Sequence, residues 1–82
     1  GDTGGITLTL PSAAAGLDVI VYNKTGNDLK IVPATDDQIF GLTNSTDDPI
    51  TNTTALDYVH LIAIDAAGWY PVDYRGTWTD AG

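Results

Sequence analysis

Catalysis needs a nucleophile with a base, or a set of ligands for a metal, and this chain offers few of either: one histidine, His60, no cysteine, and eleven carboxylates that are all aspartate. A hydrolytic triad would have to take His60 as base, Ser12 or Ser45 as nucleophile and one aspartate as orienter. Neither serine stands in a Gly-x-Ser-x-Gly turn, and His60 falls inside an apolar run, where a half-buried histidine bonded to a neighbour is the ordinary reading. Asp36-Asp37 and Asp47-Asp48 place hard oxygen ligands side by side, but there is no EF-hand spacing and no glutamate to close a calcium site in bidentate fashion. Turn chemistry accounts for these pairs. The chain reads as a non-enzyme with no catalytic residue, no metal site and no cofactor.

Two other groups of residues could make specific contacts. Trp69, Tyr70, Tyr74 and Trp78 crowd the C-terminal region and could offer a platform for sugar rings, with Asp73 and Asp80 as hydrogen-bond acceptors. Alternation along Trp69-Tyr70-Pro71-Val72 divides these rings between two faces, so packing in a core or a subunit interface is the stronger expectation. Three Asn-x-Ser/Thr sequons occur, at Asn23, Asn44 and Asn52, each in an expected turn or loop that a glycosyltransferase could reach.

The charge balance excludes whole classes of partner. Lys24, Lys30 and Arg75 stand against the eleven aspartates for a formal net charge of −8, so a phosphate backbone would meet a repulsive field and nucleic acid is not an expected partner. No apolar run reaches the length of a membrane span and no basic amphipathic stretch favours a membrane surface. With no methionine anywhere, the chain is expected to be a processed product or a segment of something longer.

The elements that must position these residues are strands. Ile6-Thr7-Leu8-Thr9-Leu10 alternates with period two after a flexible segment, residues 1–5, and Pro11 ends it. Residues 17–23 and 29–33, joined by Lys24-Thr25-Gly26-Asn27-Asp28, read as a first hairpin; residues 58–65 and 69–74, joined by Ala66-Ala67-Gly68, read as a second. A short strand is expected over 38–42, and 43–56 reads as a long polar surface loop anchored by Ile50 and Leu56. In the strand from Tyr58, one face carries Val59, Leu61 and Ala63 and the other Tyr58, His60, Ile62 and Ile64. Both faces being largely apolar, something must cover each side, either a second sheet or neighbouring subunits. The fold class is therefore all-β, one domain over 1–82, a small antiparallel β-sandwich or partly open barrel built from hairpins, with Ile6, Leu8, Leu10, Ile20, Ile31, Val59, Leu61 and Trp69 as core. So small a domain without disulfides is expected to gain stability by oligomerising. One route would donate the Ile6–Leu10 strand to the open sheet edge of the next copy.

The order and spacing of several phrases resemble a β-module of tailed-bacteriophage structural proteins. They are residues 6–13 (ITLTLPSA), Asn23-Lys24-Thr25-Gly26 leading into Ile31-Val32-Pro33, residues 37–42 (DQIFGL), and Ala67-Gly68-Trp69-Tyr70 followed by Gly76-Thr77-Trp78. The resemblance implies a non-catalytic virion structural protein on the particle surface, a capsid decoration, head-fibre or tail-fibre module, acting as a homotrimer with the major capsid protein or another virion protein as partner. The alternatives are a carbohydrate-binding surface module, carried by the aromatics, and a subunit of an extracellular glycoprotein filament, carried by the sequons.

Overall fold

The computed structural model describes residues 5–82, so most of the N-terminal segment lies outside the described residues. Eight strands follow in order: β1 (Ile6–Thr9), β2 (Asp18–Tyr22), β3 (Leu29–Val32), β4 (Gln38–Ile39), β5 (Ile50–Asn52), β6 (Tyr58–Asp65), β7 (Gly68–Arg75) and β8 (Thr79–Asp80). They form two four-stranded sheets, β1-β3-β5-β8 and β2-β6-β7-β4, and no helix occurs among the described residues. The chain is thus an all-β sandwich, not a closed barrel. Its sheets are mixed rather than antiparallel: β1 runs parallel to β3 and β4 parallel to β7.

Of the two expected hairpins only the second exists. β6 and β7 pair antiparallel from Tyr58↔Arg75 to Asp65↔Gly68, with irregularities after His60 and after Ala63. Gly68 is required there: its φ is +157°, and a Cβ would overlap the Gln38 backbone of β4. Instead of pairing with β3, β2 pairs with β6 in one sheet while β3 pairs with β1 and β5 in the other, so Asn23–Asp28 is an arch between sheets. Strand, turn and strand look alike in either arrangement; what decides is that Val19 and Val21 turn inward against β6's sheet while Leu29 and Ile31 face them from the other.

The segment 43–56 also departs from expectation, because β5 lies within it and completes the first sheet between β3 and β8. Ile50 is fully buried as foreseen, but the second foreseen anchor, Leu56, is exposed and holds a left-handed φ of +70°.

Between the sheets lies a core whose fully buried members are Trp69, Ile31, Ile39, Ile50, Leu61 and Val59, each contributing about 1.5–3 kcal/mol by burial. Leu10 joins them. Ile6, Leu8 and Ile20 do not, at 51%, 40% and 54% exposed. The reasons differ. Ile6 and Leu8 register with Leu29 and Ile31 and so face inward, but β1 is an edge strand and the facing sheet leaves it uncovered. Ile20 sits on β2 with Asp18 and Tyr22, opposite in parity to the inward valines, and faces outward. β1 lies parallel against its own β3.

Candidate functional site

The outward face of the second sheet forms a three-by-three array fixed by strand register. Asp18, Ile62 and Tyr70 make one row across β2, β6 and β7; Ile20, His60 and Asp73 the next; Tyr22, Tyr58 and Arg75 the third. Ile64 extends the central column, and Phe40, just past β4, stacks on Tyr70 with centroids 4.8 Å apart. Tyr22 and Tyr58 touch in a tilted pair at 5.4 Å. Tyr22 is 62% exposed and Ile64 59%, so this is an apolar, aromatic face with no second layer upon it among the described residues.

Its polar groups are hydrogen-bonded to one another. His60 Nε2 lies 2.9 Å from Asp18 Oδ1, and the Tyr58 hydroxyl donates to Asp73 Oδ2 at 2.9 Å. That hydrogen bond to a carboxylate, reinforced by burial and by the Asp73 charge, holds the Tyr58 phenol above its ordinary pKa. Neither Ser12 nor Ser45 is a hydrogen-bond partner of His60, so the triad weighed from sequence is not assembled.

The acidic pairs act as turn braces. Asp37, buried, accepts the Ala13 N–H at 2.8 Å, and Asp47 accepts the Asp36 N–H at 2.7 Å. Among the described residues, no three acidic, imidazole or thiol groups converge as a metal site would require.

The C-terminal aromatics do not gather into one platform, and the two tryptophans pack inward. Trp69 is wholly buried, and Trp78 is buried with its indole N–H donating to Tyr58 O and Arg75 O, both at 3.1 Å. The Trp69 indole N–H has no acceptor among the described residues. Tyr70 points outward, whereas Tyr74 registers with inward-facing Val59 and lies exposed beyond the covered part of that side. The residues missed are Tyr22, Tyr58 and Phe40, spread along the chain; the available signal was parity, since Tyr22 and Tyr58 alternate with the buried Val21 and Val59.

Two of the three sequon asparagines are structural. Asn23 and Asn52 are buried, and Asn23 Nδ2 donates to Asn52 Oδ1 at 2.9 Å and to Asn27 O at 3.0 Å. Asn52 Nδ2 donates in turn to Asp57 Oδ2 at 2.9 Å and Thr77 O at 3.0 Å. Asn23 Oδ1 accepts Gly26 N–H and Asn52 Oδ1 accepts Thr54 N–H, so each amide has its bonds filled. A glycan on either nitrogen would dismantle this clasp; Asn44 alone of the three is exposed. Gly76 serves the same clasp, because a Cβ there would overlap the Asp57 carboxylate.

A ~500 Å³ hollow opens elsewhere, on the outer face of the first sheet, among Thr7, Asp28, Lys30, Thr51 and Thr53. It has polar groups but no aromatic floor. No protein-family model, curated protein or solved structure matches the chain.

Proposed function

We propose that this protein is a non-catalytic structural module of a virion surface, a capsid decoration or fibre subunit that works by assembling with copies of itself and with another virion protein. The observation that carries the assembly part is the uncovered face of β2, β6 and β7. A central strand with Val59, Leu61 and Ala63 buried on one side holds Tyr58, His60, Ile62 and Ile64 out on the other. Exposed apolar faces of this kind serve as contact surfaces between proteins. The phage-like phrases support the virion setting, and the surplus negative charge suits a coat exposed to solvent.

A carbohydrate-binding role stands second. It now rests on Tyr22, Tyr58 and Tyr70 beside Asp18 and Asp73 instead of on the two tryptophans. The glycoprotein-filament reading is left with Asn44 as its usable sequon.

Native mass spectrometry of the protein from its source tests these readings in one spectrum. An unmodified homo-oligomer, three-fold as the resemblance implies or of another subunit number, supports the proposal. A glycan-bearing monomer would overturn it.

A further inference from the structure

The array on β2, β6 and β7 is organised as well as apolar. Opposite charges occupy opposite corners: Asp18, bonded to His60, at the β2 corner level with Ile62, and Arg75 at the β7 corner level with Tyr58. Two strand spacings across and four residues along put them about 16 Å apart. Arg75 is exposed and only loosely paired, with Asp57 at 4.0 Å. His60 stands at the centre.

We infer that this face is an isologous contact with a second copy of the chain, on a two-fold axis lying in the face through His60 that sets Asp18 of each copy against Arg75 of the other. The inference rests on the proposed assembly and names its contact. An axis perpendicular to the Asp18–Arg75 diagonal exchanges those corners, so one contact forms two ion pairs. The same axis brings Tyr22 close to its own symmetry mate and lays Ile20 near Tyr58 of the other copy. The sheets then cross steeply, nearer the orthogonal than the aligned class of packing.

Charge favours a copy of this chain over an unrelated partner. A molecule of net charge −8 repels itself over most of its surface, with Asp28, Asp36, Asp47 and Asp48 in turns away from the array. On the array Arg75 supplies a cation against the carboxylates of Asp18 and Asp73, and its place at the corner opposite Asp18 lets two copies set unlike charges against each other there. Three strands of up to eight residues make a face of roughly 400 Å² per copy, about 800 Å² in all, which fixes the contact as weak and reversible. A dyad contact makes the subunit number even: two, or six if three-fold contacts elsewhere join in.

The test is charge reversal with complementation. D18R and R75D, both at exposed positions, are each followed by sedimentation equilibrium, alone and mixed in equal amounts with one partner isotopically labelled for native mass spectrometry; circular dichroism confirms folding. Each variant alone should lose at least tenfold in self-association, while the mixture should form a heterodimer within a few-fold of wild-type affinity. The pair is informative because D18R lowers the net negative charge by two and R75D raises it by two, so a general charge effect would move them in opposite directions. Wild-type self-association that is indifferent to either reversal, or a mixture that fails to restore it, overturns this contact and leaves the assembly reading standing. A wild-type protein that stays monomeric overturns both.

Discussion

Replacing Asn52 by aspartate changes one nitrogen to oxygen and should nonetheless cost a large share of the stability of the fold. Asn52 Oδ1 would keep its two acceptances, from Asn23 Nδ2 and Thr54 N–H. Both donations would go: to Asp57 Oδ2 at 2.9 Å and to Thr77 O at 3.0 Å. Losing a hydrogen bond to a charged acceptor costs about 1.5–3 kcal/mol, and an orphaned buried carbonyl about 1–3 kcal/mol. Two carboxylates then face each other where one amide had served one carboxylate, at a place where Asp57 is buried. Asn52→Asp should therefore destabilise by about 3–5 kcal/mol, against about 5–15 kcal/mol for a whole domain. Urea unfolding at neutral pH measures it, and acidification should shrink the deficit because a proton shared between the two carboxyls restores a donor. Adding Asp57→Asn should recover much of the loss, its amide now donating to the carboxylate introduced at position 52. A cost under about 1 kcal/mol, or no recovery in the double variant, would refute the view that this clasp ties the sheets together.

Other perturbations follow from single contacts. Gly68→Ala pushes a Cβ into the Gln38 backbone and should lower stability by at least about 2 kcal/mol, read as a fall in thermal midpoint. Leu56→Asn relieves an exposed side chain held at φ +70° and should raise stability by about 0.5–1 kcal/mol in the same assay. Tyr58 has its pKa raised by the hydrogen bond to Asp73, so its contribution is complete below the unfolded value of 10.0 and is lost as pH rises through the folded value. Stability should accordingly fall more steeply on the alkaline side in the wild type than in Tyr58→Phe, and equal slopes would contradict the bond.

Sequence pattern carried the all-β class, the β6–β7 hairpin and the division of β6 into two apolar faces, because strict alternation over eight residues fixes which side chains travel together. It could not say which sheet β2 and β3 join, since an arch and a hairpin use the same turn residues. β2 shows why Ile20 was misassigned. Both its parities carry apolar residues, Ile20 and Tyr22 beside Asp18 on one and Val19 and Val21 on the other, and it is the valines that face the core holding Trp69 and Leu61. β5 hid in a run of threonine and asparagine because its inward positions are Ile50 and a polar residue, Asn52, whose burial depends on partners distant in sequence. The same dependence concealed the site: Tyr22, Tyr58 and Tyr70 meet only through the β2-β6-β7 order, whereas Trp69 and Trp78, conspicuous in sequence, were drawn into the core as the largest apolar side chains on hand.

The claim that the outer face of β2, β6 and β7 is covered in use is tested most directly by hydroxyl-radical footprinting across a concentration series from low micromolar to millimolar. Tyr22 and Tyr74 are comparably exposed in the single chain but stand on opposite sides of their sheet, which makes one the control for the other. Oxidation of Tyr22 and Ile20 that falls with concentration while Tyr74 stays constant is the predicted result. Unchanged oxidation of Tyr22 at every concentration, or protection of Tyr74 in its place, would contradict it.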